Sequence, residues 1–370
     1  MSEKFLFSQW LNLFRRVTLY SCSAFLILAA PAITNSLGSK LLAETAVSQD
    51  LEAASFFQQG VTRYNRKDLQ GAESAFRQAL QRDPSLGAAL NYLGNIFMEK
   101  NRLDIALQAY VEAIKVNPNF SEAYYNLGLV LYRQGEKDAA ITAYRQSIVI
   151  DPTRVAAQYN LGLALYEQGH IQEAIAAYQQ AINVDSSNAN AYFNLAIALQ
   201  QQGQTEQAMA TYRQALQLDP KNATAYNNMA NLLATQGQAS EAISVYQQAI
   251  LLNPKNASAY YNLGVTLYNQ GEIQKAGGVL KRARKEYREQ GNIEQAEKIE
   301  QLMQQIAQKI QQQQPQVSQT ATPSQIPDNT TNVGIPTPEP QTLNQSETPA
   351  NPVNVPISVE PQSTSTSPRQ

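Results

Sequence analysis

The chain has 370 residues, 28 Lys and Arg against 30 Asp and Glu for a formal net charge of −2, and 43% hydrophobic content. That is ample apolar material for a folded body, while the near-zero balance gives no support for nucleic-acid binding, which needs a basic stripe. A single cysteine, Cys22, and a single histidine, His170, exclude a disulfide framework, a cysteine or histidine-cluster metal site and a histidine-based catalytic triad.

At the N-terminus Lys4, Arg15 and Arg16 precede an apolar run from Val17 to Ile33. A basic start, an apolar centre and small residues after it predict an export signal over residues 1–43, with Ala30-Pro31-Ala32 and the region of Ala43 as cleavage sites. As a helix the run spans roughly 25 Å at about 1.5 Å per residue, just short of a bilayer. Cleaved signal and retained membrane anchor therefore stay open. In both cases the basic residues lie before the run, which places everything after residue 43 outside the cytoplasm.

From Ala53 the sequence repeats. Ala72, Ala106, Ala140, Ala174, Ala208, Ala242 and Ala276 are each 34 residues from the next. Frames of this length begin at Ala53, Gly87, Ser121, Val155, Ala189, Ala223 and Ala257, and the columns below count from these starts. A fixed period of this size predicts a stack of identical supersecondary units. Apolar residues at columns 4, 7, 8 and 11, as in Tyr124, Leu127, Gly128 and Leu131, have helical spacing. So do columns 20, 24 and 27, as in Ala140, Tyr144 and Ser147, so each unit is two helices. Gly at column 15 (Gly135, Gly169, Gly203, Gly237, Gly271) supplies a left-handed residue that ends the first helix. Pro at column 32 marks the end of the second. Asn188, Asn222 and Asn256 are placed to cap the next first helix.

In the seventh unit Gly277-Gly278 is expected to weaken the second helix, and column 32 is Arg288 rather than Pro. Residues 291–312 carry Ile293, Ala296, Ile299, Met303, Ile306 and Ile310 at helical spacing and predict a capping helix with a polar outer face. Residues 313–370 are rich in Pro, Gln, Ser, Thr and Asn without an aromatic residue, the composition of a disordered tail.

The recurring aromatic, Leu-Gly, aromatic, Ala, aromatic, Ala, Pro columns resemble the tetratricopeptide repeat family, as in Ala259-Tyr260-Tyr261-Asn262-Leu263-Gly264. The resemblance covers residues 53–290. It implies an all-α, right-handed superhelical solenoid of seven helix-turn-helix repeats. No enzymatic activity is expected, since nothing outside residues 53–312 has the composition to fold into a catalytic domain. In such a solenoid the first-helix columns 2, 5, 6, 9 and 12 line an inner groove.

Column 6 of five successive units is Asn126, Asn160, Asn194, Asn228 and Asn262. This ladder resembles the one lining the repeat domain of O-linked N-acetylglucosamine transferase, where such amides clasp an extended peptide backbone. An amide offers a donor and an acceptor together, matching a peptide group. Column 9 adds Asn95 and Asn231, with an aliphatic centre from Leu129 to Ile197. Tyr125, Tyr159, Phe193 and Tyr261 at column 5 and Tyr132 and Tyr166 at column 12 supply contact rings or pack against neighbouring units. Columns 2, 5, 6 and 9 hold no Lys or Arg, which argues against a clamp for a terminal carboxylate. The expected function is a protein-binding scaffold outside the cytoplasm that takes extended partner segments or a helix. The alternative is a membrane-anchored assembly factor for a membrane protein complex. No cofactor, metal or nucleic acid is expected, and membrane contact is expected only through residues 17–33.

Overall fold

The computed structural model describes residues 36–313. The apolar run of the expected export signal and the tail beyond Gln313 lie outside the described residues. Those described form fifteen α-helices, paired as helix-turn-helix repeats in an all-α solenoid fold. By contacts the chain divides into two compact units between Ala157 and Gln158.

The first unit contains α1 (Ser36–Asn65) with α2 (Leu69–Arg82), α3 (Gly87–Glu99) with α4 (Leu103–Val116), and α5 (Ser121–Arg133) with α6 (Lys137–Ile150). Its first helix begins at Ser36, ahead of Ala53 and within the stretch read as an export segment. The division falls in α7 (Val155–Glu167). In the second unit follow α8 (Ile171–Val184), α9 (Ala189–Gln201), α10 (Thr205–Leu218), α11 (Ala223–Thr235), α12 (Ala239–Leu252), α13 (Ala257–Asn269), α14 (Ile273–Glu289) and α15 (Ile293–Gln313).

Each unit is built from the same contact. The alanine at column 20 is 0% exposed in all seven repeats, from Ala72 to Ala276. With no side chain beyond Cβ, it lets the second helix lie close on the first. Beside it the column 24 ring is fully enclosed: Phe76, Tyr110, Tyr144, Tyr178, Tyr212 and Tyr246 are at most 1% exposed. Burying a side chain of that size stabilises by roughly 1.5–3 kcal/mol, and the ring recurs in six repeats, with the buried Leu280 in its place in the seventh. Where column 8 is glycine it makes room for the ring, since a Cβ on Gly128 would stand 2.5 Å from Cε1 of Tyr144; the fifth and sixth repeats have Ala196 and Ala230 there.

Turns follow the sequence closely. The column 15 glycines take φ between 76° and 83°, and in the first two repeats Lys67 (φ 63°) and Asn101 (φ 55°) adopt the left-handed region instead. Asn188, Asn222 and Asn256 accept from the backbone N–H of Ala191, Ala225 and Ala259 at 2.9–3.0 Å, the expected caps. A further device sits one residue before the column 32 position. Asp83, Asp151 and Asp185 accept from the N–H two residues on, at Ser85, Thr153 and Ser187, so the side chain itself closes the turn.

The Gly277-Gly278 pair does not break its helix. α14 is continuous over 17 residues, three longer than α12. A Cβ at either glycine would meet nothing within 4 Å, so neither is required by packing. The helix is held further along by Leu280 and Ala283, which pack with Ile299 and Ile306 of α15. That contact makes α15 the cap expected from its apolar spacing.

Candidate functional site: the first-helix columns

In the first unit, α3 and α5 bring their amides together. Asn126 donates from Nδ2 to Oδ1 of Asn91 at 3.0 Å and to Oδ1 of Asn95 at 3.2 Å. The Tyr110 hydroxyl donates to the same Asn95 oxygen at 2.6 Å. Asn91 donates to Glu122 at 2.9 Å. All three asparagines are at most 4% exposed. Each amide thus ties one repeat to the next, in surroundings where an unmade hydrogen bond is expensive.

Four repeats on, the second unit repeats the arrangement. Tyr246 donates to Oδ1 of Asn231 at 2.6 Å, and Asn262 donates to that oxygen at 2.8 Å. The recurrence follows from sequence, because only the second and sixth repeats have Asn at both columns 5 and 9, as Asn91 with Asn95 and Asn227 with Asn231. Among the described residues the Asn95 amide nitrogen, the Tyr92 hydroxyl and the Asn262 amide oxygen are buried without a hydrogen-bond partner.

The remaining ladder amides are also inside. Asn160, Asn194 and Asn228 are 5%, 8% and 5% exposed. Asn194 donates to the Tyr159 hydroxyl at 2.9 Å, a second link between adjacent repeats, and to the backbone oxygen of Asn190 at 3.1 Å. The five column 6 amides therefore do not form a solvent-open row.

The rings at column 5 lean on the enclosed column 24 rings of their own repeats. Centroid separations are 6.1 Å for Tyr125 and Tyr144, 6.0 Å for Tyr159 and Tyr178, and 6.2 Å for Phe193 and Tyr212. Tyr159 is 6% exposed, whereas Tyr125, Tyr132, Tyr166, Phe193 and Tyr261 are half-buried, each with part of its surface outward. Tyr261 packs against the cluster formed by α14 and α15. At column 9 Leu163 and Ile197 are buried and Leu129 half-buried.

Burial decides the protonation of the phenols. It pushes Tyr159 up to about 12 against the opposing bond from Asn194, and pushes Tyr92 up to about 12 with the charge of Glu122 adding to it. Tyr110 and Tyr144 are held well above the usual phenol range, chiefly by burial. At neutral pH these hydroxyls stay protonated, as hydrogen-bonding groups rather than bases. Among the described residues no group of His, Cys, Asp and Glu is placed to hold a metal, and no helix is long and apolar enough to cross a membrane. His170 is exposed beside Glu173 at 3.4 Å.

Reading columns singly missed Asn91 as a network member. The signal was the coincidence of two asparagines in one first helix, facing a column 6 amide in the next. Also missed was the concentration of six Lys and Arg in α14, hidden by the balanced charge of the whole chain.

No curated protein matches the chain. Among solved structures it is similar to MamA, at 28% identity over 44% of this chain and 96% of that one, with a TM-score of 0.41. It is similar to pilF of Pseudomonas aeruginosa at 20% identity over 56% and 94%, with a TM-score of 0.50. A third is the C-terminal part of a TPR repeat-containing protein from Cytophaga hutchinsonii, at 17% identity over 61% and 93%, with a TM-score of 0.53. The last two share the fold. One family profile matches over residues 23–249 and again over 87–305. The chain is a tetratricopeptide-repeat protein and belongs to the family described as the Cilia and flagella-associated protein 70 C-terminal domain.

Proposed function

We propose that this repeat scaffold holds segments of partner proteins against its first-helix columns, on the extracytoplasmic side of a membrane. The observation that carries the reading is the set of half-buried rings at columns 5 and 12. In the first unit these are Tyr125 and Tyr132, and in the second Tyr166, Phe193 and Tyr261. Tyr125 and Phe193 lean on enclosed rings and Tyr261 packs on the cluster of α14 and α15, so these three offer contact area with little rotamer entropy left to lose. No Lys or Arg stands in columns 2, 5, 6 or 9, so the face suits an uncharged internal segment rather than a terminal carboxylate. The location is supported by Lys4, Arg15 and Arg16 ahead of the Val17–Ile33 run.

Photo-crosslinking in cells tests the contact face. A benzophenone side chain at Tyr166 is expected to capture protein, and one at Gln179, exposed on α8, is not. Equal capture at both positions overturns the reading. Protease added outside intact membranes tests the location: digestion of the repeats supports it, and protection until the membrane is opened contradicts it.

A further inference from the structure

The first-helix columns carry no cations, yet α14 carries many. Its 17 residues include Lys275, Lys281, Arg282, Arg284, Lys285 and Arg288 against only Glu286 and Glu289, in a chain that is net acidic. Five of the six are exposed, and four of these lie together: Lys281 and Arg282 are followed by Lys285 and Arg288 at helical spacing. With Gly278 and Arg284 they line a cleft of about 470 Å³, in which Glu289 is the one acid among the described residues.

The existing ion pairs leave this face positive. Arg284 turns to Glu300 of α15. Arg282 pairs with the buried Glu286 at 2.6 Å and lies over the ring of Tyr260, at 5.9 Å from its centroid. Lys285 approaches Glu289 at 3.5 Å, a separation longer than a charge-assisted hydrogen bond. Lys281 and Arg288 have no ion pair among the described residues. A Cβ at Gly278 would meet nothing within 4 Å, so the backbone beside Lys281 and Arg282 lies open.

We propose that the exposed face of α14 from Gly278 to Arg288 is a second docking surface, chemically distinct from the first-helix columns, that takes an acidic segment of a partner protein. It rests on the scaffold reading only in that the partner is a protein. Charge complementarity selects the occupant. Successive cations rise by roughly 4.5–6 Å along the helix, close to the roughly 6.6 Å between alternate side chains of an extended strand. Acids at every second position of an extended segment can therefore meet several cations at once. The neighbouring α15 exposes Glu294, Glu297 and Lys298, with Lys298 paired to Glu294 at 2.9 Å, and so adds no net positive charge to the field of α14. A broad polyanion such as a duplex or an anionic membrane has to lie over both helices. The face also offers no exposed aromatic ring on which a base could stack.

The test uses the full chain and a fluorescent peptide of alternating Glu and Ser, read by anisotropy at low and at physiological salt. Neutralising the face with Lys281→Gln, Lys285→Gln and Arg288→Gln is expected to weaken binding about tenfold or more, and added salt to weaken the wild type in the same direction. A control triple, Lys115→Gln, Arg145→Gln and Lys221→Gln, removes the same charge from exposed positions on other repeats and is expected to bind as wild type. Equal helicity by circular dichroism separates loss of contact from loss of fold. Failure of the wild type to bind, or equal weakening in both triples, overturns the proposal. Duplex DNA or anionic vesicles binding through these cations where the peptide does not also overturns it. Loss of the peptide on Tyr166→Ala instead places it on the first-helix columns and removes the need for a second surface, whereas loss only on the α14 triple leaves the first-helix reading to its own crosslinking test.

Discussion

Tyr246 donates its hydroxyl to the amide oxygen of Asn231 at 2.6 Å, and both side chains are at most 1% exposed. The same oxygen receives the amide of Asn262 from the next repeat. Asn231 is thus a junction between the two helices of one repeat and the first helix of the following one. Tyr110, Asn95 and Asn126 make the same junction in the first unit. Polar residues in such a place are stabilising only as a set, since each removed partner leaves a buried group unsatisfied.

Replacing the acceptor is therefore expected to be worse than replacing a donor. Asn231→Ala strands the Asn262 nitrogen and leaves the Tyr246 hydroxyl only Thr266, at roughly 1–3 kcal/mol for an orphaned buried group. Tyr246→Phe leaves Asn231 still bonded by Asn262 and is expected to lose about 1 kcal/mol. Urea unfolding followed by circular dichroism compares the two. Equal midpoints for both variants would show that the junction has no such hierarchy.

Ala208 is 0% exposed where the two helices of the fifth repeat meet. Ala208→Leu adds a branched side chain to a contact that has no free volume. Overpacking of this kind typically costs about 1–3 kcal/mol, and the backbone separation set by alanine makes the upper end the expectation. Ala210, exposed on the same helix α10, provides the comparison. Ala210→Leu is expected to leave the thermal midpoint nearly unchanged, and a matching fall in both variants would count against the close-approach account.

The alanine, glycine and proline columns were legible in the sequence because each answers a local demand that recurs every 34 residues. A close helix contact, a left-handed turn and a helix stop each need one residue type at one place. The caps at Asn188, Asn222 and Asn256 were legible for the same reason. The amide network was not, because Asn126 finds Asn91 and Asn95 on another repeat, and no single column shows that meeting. A polar residue in the first helix reads equally as surface or as a buried junction until its neighbour is placed. At Gly277 and Gly278 the lower helix propensity of glycine is a local penalty, and the helix runs on through both, with Leu280 and Ala283 packed on α15.

Alkaline pH should unfold the array through its phenols. The buried Tyr159 has its ionisation raised to about 12, and Tyr110 is raised well above 10.0, in both cases chiefly by burial. In the unfolded chain tyrosine ionises near pH 10 (about 10). The folded values are the higher ones, so the stabilisation is complete below about pH 10 and is lost as pH rises through the folded values. The urea midpoint is expected to hold steady to about pH 10 and then to fall, with Tyr159→Phe showing a shallower decline. A midpoint that falls steadily from neutrality points to a different set of groups.

Gly94→Ala separates a rigid enclosure from one that can adjust. A Cβ on Gly94 would lie 2.4 Å from Cε1 of Tyr110, which on its own predicts a severe clash. The sixth repeat contains the natural counterpart of that variant. There Ala230 takes the place of the glycine, is 0% exposed, and Tyr246 still reaches Asn231 at the 2.6 Å that Tyr110 keeps to Asn95. The ring can therefore shift by the width of a methyl group without giving up its hydrogen bond. The strain is offset by about 0.8–1 kcal/mol of helix propensity gained over glycine, so Gly94→Ala is expected to change stability by less than about 1 kcal/mol. Gly94→Leu has no such precedent in any repeat and is expected to lose about 3 kcal/mol or more through overpacking. Urea midpoints of the two variants decide it: a large loss already at alanine means that the Tyr110 enclosure is fixed by neighbours that the sixth repeat does not share.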